Sequence, residues 1–251
     1  MGNFDSVLFK FSWLAVPLSS QRRLVVKIKK PHIDDVGNVK AYRNRKNCWG
    51  LIVFAGCDHR TKFLMLSAQC SGSTNDCVAW ELTSLASYIR SGSFNSHYSI
   101  VCDEALSCTE VILTPYGGQR LGIAKDSFNY HLSAMRQTIE RAFGILVARW
   151  GIFWRPLQCA FDRQPLVINV AAKLHNLCID FKVPFDGGVY EDYAEVDKPS
   201  EVFTNCFHVD EPVLGPRNTA HDSSLKRTLF TTHLANNGWV RPARCQNNSR
   251  A

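Results

Sequence analysis

Two carboxylates, those of Asp103 and Glu140, occupy positions that suit metal-ion chemistry. Asp103 directly follows the apolar run 99–102, which has the length and composition of a β-strand, and Glu140 lies in a later helical pattern over about 127–150. A carboxylate at a strand end and another on a later helix can hold a divalent cation over a phosphodiester bond. Such sites usually contain a third carboxylate, so the residues near the other strand ends decide what the pair can do.

Each candidate carboxylate also has an ordinary structural explanation. Asp103 would cap the loop after its strand, and Glu140 would pair on the helix surface with Arg136, four residues earlier. Asp76 follows a polar turn and is either an N-cap or first-turn residue of the next helix, or an additional member of the site. Asp58 lies in a predicted hairpin turn, where aspartate is favoured for local hydrogen bonding, so we expect no role for it in the site.

The charge of the chain is positive and unevenly distributed. The net charge is +7 at pH 7, and the segment 22–46 contains nine lysines and arginines against two aspartates. This excess suits a polyphosphate partner, although it is equally typical of a solvated surface. The ten cysteines form no CxxC pair and no metal-binding spacing with histidine, which indicates a reducing compartment rather than a zinc site. No apolar run has the length of a membrane span.

Hydrophobic periodicity predicts an α/β domain with a mixed five-stranded sheet flanked by helices. The first strand, Leu24–Lys30, alternates apolar and basic residues and is ended by Pro31. The other predicted strands cover 51–55, 63–66, 98–102 and 111–113, and the predicted helices cover about 76–91, 127–150 and 164–181. This order of elements is that of a ribonuclease-H-like fold, with the last strands parallel. The helices carry apolar stripes at helical spacing, namely Val78, Leu82, Leu85 and Ile89; Ile139, Phe143, Leu146 and Trp150; and Val167, Val170, Leu174, Leu177 and Phe181.

Six short segments carry a family resemblance through their order and spacing. They are Tyr42-Arg43-Asn44-Arg45-Lys46; Gly72-Ser73-Thr74-Asn75-Asp76; Val101-Cys102-Asp103; Leu113-Thr114-Pro115-Tyr116 with Phe128-Asn129; Arg136 with Ile139-Glu140-Arg141-Ala142-Phe143-Gly144; and Leu174-His175-Asn176. Together they resemble the Harbinger-type transposase nucleases, also described as DDE superfamily endonucleases, over about residues 24–182. We therefore expect an atypical segment at 1–23, a nuclease domain at 24–184 and an irregular acidic tail at 185–251, with a short helix at 222–236 and a disordered end.

The resemblance implies a metal site with one ligand missing. Two aspartates and a glutamate bind divalent metal in this family, which implies that Asp103 is the second aspartate and Glu140 the glutamate, holding Mg²⁺ or Mn²⁺. The first aspartate normally precedes the strand that ends at the proline, and Arg22 stands at that position. The simplest explanation is a truncated or mis-spliced gene product with an unrelated start. His175 is expected to be a core histidine rather than a ligand.

The implied function is that of a transposase-derived, divalent-metal-dependent DNA endonuclease in the nucleus, with the cytoplasm as a second location. Arg43, Arg45 and Lys46 are candidates for contacts with DNA phosphates. The alternative is a catalytically inactive relic that binds DNA or a protein partner, and Arg22 favours it. The expected partners are DNA, a separate DNA-binding protein or a second copy of the chain, and no membrane. A metabolic α/β enzyme lacks support, because the sequence contains no glycine-rich phosphate loop and no nucleophile elbow.

Overall fold

The computed structural model describes residues 13–15, 24–44, 46–95, 97–184 and 224–242, with no account of the side chains of residues 13–15 and 76. The strands in these ranges are β1 (Trp13–Ala15), β2 (Leu24–Lys27), β3 (Gly50–Cys57), β4 (Phe63–Ser71), β5 (Ser99–Val101) and β6 (Ile112–Leu113). The α-helices are α1 (Ile33–Val36), α2 (Asp76–Glu81), α3 (Ser84–Arg90), α4 (Ile123–Arg149), α5 (Gln164–Asp180) and α6 (Leu225–Asn236). Short 3₁₀ helices cover Val39–Tyr42, Gly151–Phe153 and Phe161–Arg163.

The fully buried strand β3 is the centre of one mixed sheet. Strand β4 pairs antiparallel with one edge of β3, and β2 and β1 pair antiparallel with different parts of the other edge. Strand β5 pairs in parallel with both β1 and β6, as expected for the last strands. The predicted hairpin is confirmed: β3 and β4 are joined by a tight turn in which Thr61 adopts a positive φ of 69°.

The mixed α/β class is confirmed, but the count of five strands is wrong for this sheet. Trp13–Ala15 adds a sixth strand within the segment that was expected to be atypical. Three apolar residues are too few to show a period of two, so no strand was predicted there. The strand exists because its neighbours supply the pairing: Leu14 lies beside Ile100 of β5, and Ala15 lies beside both Val101 and Cys57.

Helix α4 crosses one face of the sheet and positions the candidate site. Its first half packs Phe128, Leu132 and Met135 against the buried ends of β5 and β6. Its second half packs against β2 and β3, where the predicted stripe residues Ile139 and Phe143 are buried. The stripe prediction is therefore confirmed for this helix, which begins four residues earlier than the sequence pattern indicated.

Two other helical predictions need correction. The single helix predicted over 76–91 is divided into α2 and α3, because Thr83 ends the first and caps the second by accepting the N–H of Ala86 at 3.1 Å. The expected stripe residues Val78 and Leu82 are exposed, whereas Trp80 is buried. In α5 four of the five predicted stripe residues, Val170, Leu174, Leu177 and Phe181, are exposed, whereas Val167 is partly buried against the core. The sheet is covered by the opposite side of the helix. The buried residues of α5 are Gln164, Ile168, Ala171, Ala172 and His175.

Helix α6 packs on α4, although it lies in the segment that was expected to be an irregular tail. Phe230 and Leu234 are buried in the same cluster as Phe128 and Leu132. The helix itself was predicted at 222–236 and is observed at Leu225–Asn236. Of the end expected to be disordered, from Arg241 onward, only residues 241 and 242 are described, and Arg241 pairs with Asp126 of α4 at 3.0 Å. No helix in the described ranges is long and apolar enough to cross a membrane.

Candidate active site

Asp103 lies at the carboxyl end of β5, two residues after Val101. Strand β5 is buried between β1 and β6, and Asp103 itself is only 6% exposed. Its Oδ1 atom accepts the N–H of Ala105 at 3.0 Å. This bond fixes the carboxylate at the strand end in the loop-capping role that sequence reasoning allowed for. A carboxylate accepts several hydrogen bonds or metal contacts at once, so the cap leaves capacity for a ligand.

Glu140 lies in the middle of α4, directly after Ile139, which packs against β2 and β3, and five residues after Met135, which packs beside Val101 of β5. Burial raises the pKa of the Cys102 thiol, and the negative charge of Asp103 raises this pKa further, whereas the positive charge of Arg136 lowers it. Both charges therefore lie near Cys102. Glu140 follows Arg136 by about one helical turn and leaves α4 on the same side. Glu140 is half-buried, and its Oε1 atom is shielded from solvent. This position differs from the helix surface, where the pairing with Arg136 would place Glu140.

Asp76 is the first residue of α2 and is not the helix cap. The N-cap is Asn75, whose side chain accepts the N–H of Cys77 at 2.9 Å. The thiol of Cys77 donates to the carbonyl of Ala105 at 3.3 Å, so the start of α2 contacts the loop that fixes Asp103. The backbone at position 76 is therefore adjacent to this loop, as a third contributor to the site requires.

Asp58 is excluded from the site by the sheet register. Cys57, Ala15 and Val101 lie in one row across three strands. Because β3 runs antiparallel to β5, Asp58 extends from this row in one direction and Asp103 in the other. Asp58 instead holds the hairpin turn, where its Oδ1 atom accepts the N–H groups of residues 60 and 62 at 2.9 Å each.

The remaining sequence-predicted residues are basic, and the structure describes only some of them. Arg22 and Arg45 lie outside the described residues. Arg43 and Lys46 are exposed on the loop before β3. That loop is held by Asn44, whose side chain accepts the N–H groups of Lys46 at 2.9 Å and of residue 48 at 3.0 Å. The loop thus presents basic groups to solvent on an ordered backbone, and a role in DNA contact stays a prediction.

Several residues of the family segments join neighbouring elements through hydrogen bonds or close backbone contacts. A Cβ at Gly72 would lie 2.8 Å from the carbonyl oxygen of Tyr42, so only glycine allows this approach between the loop before β3 and the end of β4. Asn176 of α5 donates to the carbonyl of Phe63 and accepts its N–H, both at 2.8 Å. His175 is buried and donates from Nε2 to the carbonyl of Thr61 at 2.9 Å, which confirms its assignment as a core histidine.

Similar contacts join the loop after β6 to α4 and α6, and the sequence did not predict those from α6. Asn129 accepts the N–H of Tyr116 at 2.8 Å and donates to its carbonyl at 2.9 Å. The guanidinium of Arg227, from α6, lies 4.1 Å from the Tyr116 ring centroid and donates to the carbonyls of Thr114 and Pro115 at 3.4 Å. A single arginine in a short amphipathic helix carries no sequence signal for such a position.

The described residues provide suitable metal donors but fewer than a complete set. Carboxylate oxygens such as those of Asp103 and Glu140 are the hard ligands that Mg²⁺ and Mn²⁺ accept. Within the described ranges, no group of three or more His, Cys, Asp or Glu side chains could hold a metal ion. The donor chemistry therefore fits a divalent cation, and any third carboxylate has to come from a side chain that the structure does not describe.

Comparison with known proteins places this geometry in a family. The sequence profile of DDE superfamily endonucleases matches residues 24–176. The protein named putative nuclease HARBI1, from Bos taurus and from Homo sapiens, is in each case 25% identical over 158 residues. These alignments cover 62% of this chain and 44% of each relative, so the chain spans less than half the length of these relatives. No solved structure gives a significant match. Since the family profile covers more than half of the sequence, the chain belongs to the DDE superfamily endonucleases.

Proposed function

We propose that the chain carries a transposase-derived nuclease domain that hydrolyses phosphodiester bonds of DNA with a divalent cation, Mg²⁺ or Mn²⁺. The proposal rests on Asp103, buried at the end of β5, and on Glu140 of α4, the helix that packs beside β5. Membership of the endonuclease family supports the reaction class. The name of the two relatives, putative nuclease, supports the same class.

Each candidate residue has a defined task in this proposal. Asp103, fixed by the N–H of Ala105, and Glu140, fixed by the packing of α4, would hold the cation through carboxylate oxygens. A divalent cation at such a site activates water and stabilises charge on the leaving oxygen. Asp76 is the candidate for a further ligand, because its neighbour Cys77 contacts the same loop. Arg136 lowers the cost of burying carboxylates at this strand end by placing a positive charge nearby.

A ribonuclease-H-like arrangement is the finer fold assignment that we propose. Because β1 and β2 flank the same edge of β3, they can be counted as one interrupted strand. The sheet then has five positions in the order β4, β3, β1 with β2, β5 and β6. This order keeps an antiparallel hairpin on one side and parallel strands with the candidate aspartate on the other. Residues 16–23, which include Arg22, connect β1 to β2 in the sequence and lie outside the described residues.

Arg22 is proposed to weaken the activity of this chain. It stands two residues before β2, where the family places its first aspartate. An arginine supplies no metal ligand, and at a separation of about 4 Å it would repel a unit positive charge by about 4 kcal/mol at an effective dielectric constant of about 20. Restoring a carboxylate with Arg22→Asp should therefore raise metal-dependent activity above that of the unaltered chain.

The second candidate function is an inactive relic that binds DNA or a protein partner. The absence of an aspartate at position 22 favours it, as do the exposed Arg43 and Lys46. In this case the chain would bind duplex DNA in a salt-dependent manner without cleaving it. Replacing Arg43, Arg45 and Lys46 with serine should then weaken binding and reduce its salt dependence.

Both functions place the chain in the nucleus, which imaging of a fluorescently tagged chain would test.

The experiment that separates the two functions is nicking of supercoiled plasmid DNA with increasing Mg²⁺ or Mn²⁺. Nicking that Glu140→Gln abolishes and Asp58→Asn leaves intact would support the nuclease, because Asp58 and Asp103 extend in opposite directions from the row that contains Cys57 and Val101. No nicking by the folded chain at any metal concentration, either unaltered or with Arg22→Asp, would contradict the nuclease assignment. DNA binding without nicking would then favour the relic.

A further inference from the structure

Helix α5 is apolar on two opposite sides, and only one of them is covered in the described part of the chain. Its inward side, which includes Ile168 and His175, packs on the sheet. Its outward side carries five large apolar residues at steps of four, four, three and four positions. These residues, the α5 stripe, are Leu166 (63% exposed), Val170 (54%), Leu174 (39%), Leu177 (49%) and Phe181 (77%). A helix that is apolar all round is normally buried on both sides.

The α5 stripe continues into a groove beside the helix. The groove has a volume of about 430 Å³ and is lined on its far side by Trp150 and Ile152, the latter 52% exposed. Val183, just beyond the end of α5, is a further apolar residue at 45% exposure. A contiguous exposed apolar surface of this kind marks a protein interaction site rather than ordinary scattered surface residues.

We propose that the α5 stripe binds the same stripe of a second copy of the chain, with the two helices antiparallel about a two-fold axis. The steps of three and four residues keep all five side chains on one side of the helix, as an apolar seam between two helices requires. A two-fold interface requires a surface that is complementary to itself. The charges beside the stripe meet this requirement, since Lys173 and Asp180 lie on the same edge of it and are both exposed.

The charge pair also fixes the register of the proposed interface. In an antiparallel two-fold pair each edge of the stripe faces the same edge of the other copy, so Lys173 of each copy can lie opposite Asp180 of the other. Leu177 then lies close to the axis. Asp180 also pairs with Lys62 at 2.6 Å, yet its side chain remains 44% exposed and accessible to a second cation. The inference does not depend on the chain being an active nuclease.

Analytical ultracentrifugation of the full chain tests this proposal. We expect a monomer–dimer equilibrium at micromolar concentration, and Leu177→Lys should raise the dissociation constant at least about tenfold, which is about 1.4 kcal/mol. The matched control is Leu82→Lys, which places the same charge on an exposed leucine of α2. Circular dichroism should show unchanged helix content for both variants, because both side chains are exposed in the folded chain.

The charge pair provides a second and independent measurement. Lys173→Asp should weaken the dimer, and the double exchange Lys173→Asp with Asp180→Lys should restore it, because the two positions face each other across the axis. A chain that stays monomeric up to about 100 µM overturns the proposal, as does a dimer that Leu177→Lys does not weaken. Failure of the double exchange to restore association overturns the antiparallel register.

Discussion

Replacing Arg227 with alanine should destabilise the domain by about 3 kcal/mol, because its side chain fastens α6 to the loop after β6. The side chain is 1% exposed. Its guanidinium lies 4.1 Å from the ring centroid of Tyr116, and a cation–π contact removed from water contributes about 2 kcal/mol. Its two hydrogen bonds to the carbonyls of Thr114 and Pro115 are long, at 3.4 Å, and together contribute about 1 kcal/mol or more.

Urea unfolding followed by tryptophan fluorescence measures this change. The matched control is Leu229→Ala on the same helix, where the side chain is 60% exposed and the expected loss is below about 0.5 kcal/mol. Thr231, which shares a hydrogen bond of 3.0 Å with the hydroxyl of Tyr116, provides a second contact to the same loop. A loss below about 1 kcal/mol for Arg227→Ala, with an unchanged denaturant slope, would show that α6 does not stabilise this part of the fold.

Three further predictions concern the contacts that join the strands to neighbouring elements. Gly72→Ala should destabilise the domain by about 1–3 kcal/mol, because its Cβ would lie 2.8 Å from the carbonyl of Tyr42; a neutral effect in thermal unfolding would contradict the close approach. Asn176→Ala should cost about 2–3 kcal/mol in urea unfolding by removing both bonds to Phe63, and an unchanged midpoint would count against this. Burial lowers the pKa of His175 below its ordinary 6.5. As the pH drops through about 6.5, the imidazole therefore takes up a proton in the unfolded chain before it does so in the folded chain, and the free energy of unfolding should fall. His175→Gln should flatten this dependence in denaturation at a series of pH values, and an unchanged slope would refute the assignment.

The sequence predicted the long and strongly periodic elements because the spacing of their apolar residues shows which side of each element is buried. The unbroken apolar run of β3 identified a fully buried strand, and the stripe of Ile139 and Phe143 identified the inner face of α4. Asp103 was located because it directly follows an apolar strand. The relation between Asp103 and Glu140 depended on the family resemblance, since spacing alone does not say which side of a helix meets which strand end.

Other features were beyond prediction because tertiary contacts determine them. Helix α5 has two apolar sides, and periodicity cannot tell that Ile168 faces the sheet while Leu177 faces outward. Trp13–Ala15 is too short to show a strand period and becomes a strand only through its neighbours. Arg227 looked like a surface residue of a tail, yet it is buried against an aromatic ring whose position only the fold defines.

Binding of Mn²⁺ measured by electron paramagnetic resonance tests the central claim, that Asp103 and Glu140 hold one divalent cation, without requiring catalysis. The chain with Arg22→Asp should bind Mn²⁺ more tightly than the unaltered chain, and adding either Asp103→Asn or Glu140→Gln should weaken that binding at least about tenfold. Asp58→Asn, in the hairpin turn after β3, should leave the binding unchanged. Mn²⁺ binding that neither Asp103→Asn nor Glu140→Gln weakens, in chains that remain folded, would contradict the account.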